Sequence, residues 1–82
     1  MEKPSFSLLM TRRDPSRNMA RFYSLSIGES LFGDVCLIRD WGRIGTRGRR
    51  IVELHRSVAA AEQRLQTVAS AKMRRGYCAV ST

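Results

Sequence analysis

Arg39-Asp40-Trp41-Gly42-Arg43-Ile44-Gly45-Thr46-Arg47-Gly48-Arg49-Arg50 gathers five arginines, three glycines and the only tryptophan of the chain into one stretch. On either side lie short runs rich in β-branched and aliphatic residues, Asp34 to Asp40 before it and Arg50 to His55 after it. Both have the composition of strands, and the glycines Gly42, Gly45 and Gly48 punctuate the chain between them. The stretch therefore reads as a strand-to-strand turn, and a connection this short predicts antiparallel neighbours.

Working outward, Met19 to Ile27 alternates Tyr23, Leu25 and Ile27 with Ser24 and Ser26, the two-residue period of a half-buried strand. Residues 28–33 supply turn chemistry. Ser5 to Thr11 predicts a leading strand or arm, and Arg12-Arg13-Asp14-Pro15-Ser16-Arg17-Asn18 a basic loop, because the Asp-Pro step disfavours continued regular structure. On the other side, Ser57 is placed to cap a helix whose apolar stripe is Val58, Ala61, Leu65, Val68 and Ala69. Lys72, Arg74 and Arg75 suit its negative end, and Gly76 ends it near residue 75. Tyr77 to Val80 predicts a returning edge strand. The expectation is one α+β domain over residues 1–82, a single twisted antiparallel sheet of four or five strands packed against one long C-terminal helix, with residues 1–18 as its leading strand and basic loop.

At 82 residues the chain holds one modest core and no second one, which argues against a catalytic cleft between domains. Its formal charge of +8 comes from 15 basic and 7 acidic residues, so much of any folded surface is electropositive and a polyanion is the natural partner. Thirteen of the basic residues are Arg and two are Lys. Arginine grips phosphate in a planar fork and stacks on flat rings, although GC-rich coding also shifts Lys towards Arg. Cys36 and Cys78 lack metal or disulfide spacing, and both are expected to be buried and reduced. No apolar run reaches the roughly 18 residues that span a bilayer, and no signal-peptide pattern is present. A soluble cytoplasmic protein is expected, compatible with association with the nucleoid.

In the central stretch, glycines let backbone amides approach an anion, arginines clamp phosphate oxygens and the indole offers a flat face, which together make a phosphate-and-stacking platform. A lone Trp by itself points to a core, but Asp40 and Gly42 beside it point outward. Gly45 and Gly48 suit a hairpin whatever the function. The site residues expected are Trp41, Gly42, Arg43, Arg39, Arg47, Arg49 and Arg50, with Arg12, Arg13 and Arg17 as a secondary basic patch. Tyr23 and Tyr77 are expected in the core, with Phe22 facing away from Tyr23. His55, the only histidine, has no ligand partner at metal spacing and is expected to be a strand-end surface residue. No nucleophile-and-base pattern is readable, so no enzymatic activity, cofactor or metal is expected.

The ordered set Arg21-Phe22-Tyr23, Leu31-Phe32-Gly33, Trp41-Gly42-Arg43-Ile44-Gly45, the amphipathic helix and Arg74-Arg75-Gly76-Tyr77 resembles the WGR domain family, named for its Trp-Gly-Arg run. In eukaryotic poly(ADP-ribose) polymerases such a domain is an antiparallel sheet with a helix on it, binds near DNA breaks and contacts neighbouring domains. The resemblance implies that Trp41 matches the Trp that stacks at a DNA end, and Arg43 the Arg of interdomain and DNA-proximal contacts. It also suggests a short bacterial protein with little beyond the domain, lacking the polymerases' catalytic, zinc-finger and regulatory helical domains. The expected function is non-enzymatic nucleic-acid binding, DNA favoured over RNA and ends or nicks over closed duplex. The alternative is a protein-interaction adaptor using the same Arg-rich face, with no membrane partner.

Overall fold

A computed structural model describes residues 6–30 and 32–80. Five antiparallel strands form one sheet: β1 (Phe6–Asp14), β2 (Met19–Glu29), β3 (Val35–Arg43), β4 (Arg49–His55) and β5 (Cys78–Ala79), in the order β4-β3-β2-β1-β5. The helix α1 (Val58–Arg74) lies on one face. The expected α+β architecture is observed. Ser5 and Leu31, which figured in the sequence reading, fall outside the described residues.

The alternation in β2 decides which face is covered. Tyr23, Leu25 and Ile27 are buried beneath α1, and register places Met10 of β1 and Leu37 of β3 on the same side. Each such aliphatic side chain contributes about 1.5–3 kcal/mol by leaving water. From the helix come Ala61, Leu65, Val68 and Ala69, the alanines being small enough to let the helix approach the sheet closely. Val58, expected in this stripe, is exposed: it stands in the first turn, with no preceding helical residues to help cover it.

Several boundaries differ from expectation, each because strand pairing outlasts local turn chemistry. β1 runs on to Asp14, so Arg12 and Arg13 belong to a strand rather than a basic loop, in register with Arg21 and Ala20. The reversal is confined to the short 3-10 turn Pro15–Arg17. Asp14 there accepts from the Ser16 amide and hydroxyl, and Asn18 adopts the left-handed conformation at φ 52°. β1 is thus an inner strand of the sheet, not an arm. Likewise β3 extends through Arg43, which moves the Trp-Gly-Arg run out of the turn and into a strand, with Trp41 paired to both β2 and β4 and Gly42 and Arg43 paired to β2.

Ser57 caps α1 as expected, accepting from the Ala60 amide at 3.1 Å. The other end closes with a paired motif in which the Tyr77 amide donates to the Lys72 carbonyl and the Gly76 amide to the Met73 carbonyl. Gly76, at φ 99°, makes that reversal possible. The chain is turned back so that β5 pairs with β1, and the Val80 amide donates to the Leu9 carbonyl. Cys36 is buried, but Cys78 is exposed, because a two-residue edge strand has no layer over it.

Candidate nucleic-acid interface

The basic residues sort themselves by the register of the sheet. At the end of β2 and β3, Arg21 lies opposite Arg43 and Tyr23 opposite Trp41, all on the helix side. Here the reversal that follows α1 delivers Tyr77 against the Tyr23 ring edge-on, centroids 6.3 Å apart. The result is a shallow groove of about 310 Å³ lined by Arg17, Arg21, Trp41, Gly42, Arg43 and Tyr77 together with Asn18 to Ala20.

Trp41 is half-buried. Its ring lies nearly parallel to Tyr23, with centroids 5.8 Å apart and planes 15° from parallel, so the indole is both a core residue and a wall of the groove. Tyr23 is itself locked in place. Its hydroxyl accepts from Arg39 Nε at 2.7 Å, and Arg39 Nη1 donates to Glu53 Oε2 at 2.9 Å. Lys72 Nζ sits 4.6 Å from the centroid of the same ring. The Trp41 ring thus rests on a braced tyrosine, which fixes its orientation.

Arg39 is therefore occupied beneath the site. Burial disfavours its charge, but its bonds to Tyr23 and Glu53 outweigh that and raise its pKa. Glu53 is the hub of the brace, receiving Arg39, Arg64 at 3.3 Å and His55 at 3.2 Å. His55, expected on the surface, is half-buried by this contact. Burial alone would raise the Glu53 pKa, but the bonds from Arg39, Arg64 and His55 hold it below the ordinary carboxylate range. Lys72 is shifted down by burial and by the nearby charges of Arg75 and Arg39.

A carboxylate with a depressed folded-state pKa contributes stability that is present above its unfolded value, about 4.3, and is lost as pH falls through the folded value. Glu53→Gln is therefore expected to lower stability by about 1–2 kcal/mol at pH 7. The wild-type advantage shrinks as the solution is acidified below about pH 4.3. Urea melts of both proteins at pH 7 and pH 3.5 check this; a difference that does not change with pH would contradict it.

The remaining arginines of the central stretch diverge. Arg50 is held by Asp40 through two bonds, at 2.8 and 3.2 Å, and these raise its pKa. Arg47 and Arg50 line a second groove on the opposite face with Leu9 and Phe22, and Arg49, in register with Trp41, lies at its rim. In the secondary patch, Arg17 joins the Trp41 groove, and Arg12 packs beside Gly76 at the helix end. Arg13 sits apart, near Pro15 and Ala20. The structure thus brings together Trp41, Gly42, Arg43 and Arg17 from the expected set and adds Arg21 and Tyr77. Among the described residues neither Arg21 nor Arg43 forms an ion pair.

Gly42 and Gly48 complete the local architecture through close approach. A Cβ on Gly42 would stand 2.7 Å from the Gly48 Cα, and one on Gly48 would stand 2.1 Å from the Trp41 carbonyl oxygen. The connection from β3 to β4 folds back directly over the Trp41-Gly42 backbone. It is fastened by Thr46, whose amide and hydroxyl both donate to the Arg43 carbonyl. Gly48 is thus needed for this contact, and not only for a generic hairpin.

Among the described residues no group of His, Cys, Asp and Glu is placed to hold a metal ion, and no helix is long and apolar enough to cross a membrane. Residues 6–82 match the family described as WGR domain. The uncharacterized protein y4dW of Sinorhizobium fredii is 46% identical over 72 residues, which cover 88% of this chain and 35% of the relative. The chain thus spans about a third of that relative's length. No solved structure matches it.

Proposed function

This chain belongs to the WGR domain family, and from that premise we propose that it is a non-enzymatic module that binds DNA, at ends or nicks, through the Trp41 groove. WGR domains are binding modules, associated with nucleic acid in the poly(ADP-ribose) polymerases. The observation that carries the reading is the coincidence in one groove of a ring braced from behind and of Arg21 and Arg43 with no acidic partner among the described residues. Arginines already paired, such as Arg39, would have to break bonds to reach a phosphate. Those two need not.

Trp41 and Tyr77 offer ring surface to an unstacked base or sugar, available at an end or nick but not within an intact duplex. Arg21 and Arg43 take flanking phosphates, and Arg17 joins them on releasing its 3.6 Å ion pair with Asp14. Arg12, Arg47 and Arg49 extend the electropositive field without entering the groove. Backbone contacts of this kind carry no base information, so binding is independent of sequence.

Fluorescence anisotropy on nicked or blunt-ended duplexes, with covalently closed circles and single-stranded RNA as competitors, tests the proposal. Affinity for the ended duplexes is expected to exceed that for closed circles, and to fall with log salt at a slope of about −0.9 per phosphate neutralised. Arg43→Ala should reduce that slope by about one. Equal competition by closed circles would remove end recognition, and an unchanged slope in Arg43→Ala would remove the phosphate contact.

A further inference from the structure

The sheet has a long free edge. β4 lies at one end of the strand order, and only β3 pairs with it among the described residues. Proteins commonly blunt such edges with proline, a bulge, brevity or charged side chains, lysine above all; the charges on β4, Arg49, Arg50 and Glu53, are of both signs. β4 has seven residues with neither Pro nor Lys, and it leaves Ile51 45%, Val52 52% and Leu54 66% exposed.

We propose that β4 is a self-association edge, pairing antiparallel with β4 of a second copy about a two-fold axis through Ile51. Charge selects both occupant and register. With Ile51 opposite itself, Arg49 of each copy faces Glu53 of the other on the helix side, and Arg50 faces Val52 on the open side. Shifting the axis to Val52 sets Glu53 against Ile51 and Arg49 against His55, and shifting it to Arg50 sets two like charges face to face. Only the Ile51 register matches opposite charges twice and apolar side chains at the centre. Three donors already reach Glu53, through one bond on Oε2 and two on Oε1, so one acceptor position on Oε2 is open to Arg49 of the second copy.

Pairing of this kind joins two sheets into one of ten strands, with both helices on the same face. The two Trp41 residues then lie on the order of 20 Å apart, from four residues along the strand and three strand spacings across. Both grooves stay open, since no residue of the Trp41 groove lies in β4. A contact between two seven-residue strands is smaller than a standard interface, and two chains of charge +8 repel, so the association is reversible and weak at low salt.

The inference concerns a different element from the groove and is tested without nucleic acid. In sedimentation at about 0.3 M salt, where the Debye length is under about 8 Å, the mass is expected to rise with concentration from 9.3 kDa towards twice that value. Arg49→Glu, which would face Glu53 of the other copy, should remain monomeric while keeping a wild-type circular dichroism spectrum. In a Cys78→Ser background, Ile51→Cys should form a disulfide dimer on mild oxidation much faster than Val52→Cys, which would face Arg50. A wild-type protein that stays monomeric to millimolar concentration would overturn the proposal. So would equal cross-linking at the two positions, or a dimer indifferent to Arg49→Glu.

Discussion

Gly48→Ala is expected to destabilise the domain by about 2–4 kcal/mol. Two costs combine. At φ 70° a Cβ is strained wherever it stands, by about 1–2 kcal/mol. Here it would also stand 2.1 Å from the Trp41 carbonyl oxygen, 2.8 Å from the Trp41 carbonyl carbon and 3.0 Å from Phe22 Cζ. The Trp41 backbone cannot withdraw, because it is paired to Tyr23 on one side and Arg49 on the other. In a domain of this size each kcal/mol is worth about 4–8 °C, so the melting temperature should fall by more than about 8 °C. Gly45→Ala is the control: φ is also positive there, at 95°, but nothing lies within 4 Å of the added carbon. Thermal melts that show equal losses at both positions would refute the close-approach argument.

Trp41→Ala should weaken binding to ended duplexes by about 1–3 kcal/mol, or about 5- to 150-fold, the range found when a base loses its aromatic platform. The loss should leave the salt slope unchanged, because no charge is removed, and that distinguishes it from the arginine variants. Trp41→Phe retains a ring against Tyr23 and should recover part of the affinity. Trp41 is the only tryptophan, so its own emission reports the event: stacking of a base should quench it in wild-type protein. Full affinity in Trp41→Ala, or emission unaffected by saturating duplex, would dismiss stacking while leaving a purely electrostatic groove.

The strands and the helix were legible because their periods are local. Tyr23, Leu25 and Ile27 announce a buried face at two-residue spacing, and Ser57 and Gly76 bracket the helix through backbone chemistry that needs no distant partner. The site was legible only in part. Counting arginines near Trp41 could not distinguish Arg39, whose partner Glu53 lies 14 residues away across the β3–β4 pair, from Arg43, which has none among the described residues. Arg21 could have been found, since the period that places Tyr23 inward places Arg21 on the same face. Tyr77 could not be assigned to the groove without knowing how the helix end reverses. Cys78, expected to be buried, is exposed: apolar composition predicts the edge strand but not whether a layer packs over it.

The reversal at Gly76 also has a kinetic meaning. β5 contributes only two residues to the sheet and joins Met10 to Ala79, so its docking closes almost the entire chain into a loop and is entropically disfavoured until the rest has formed. Tyr77 precedes it directly and walls the groove. Tyr77 is nonetheless anchored ahead of that strand, through its amide to the Lys72 carbonyl and its ring against Tyr23, so fraying of β5 is expected to leave this wall of the groove standing.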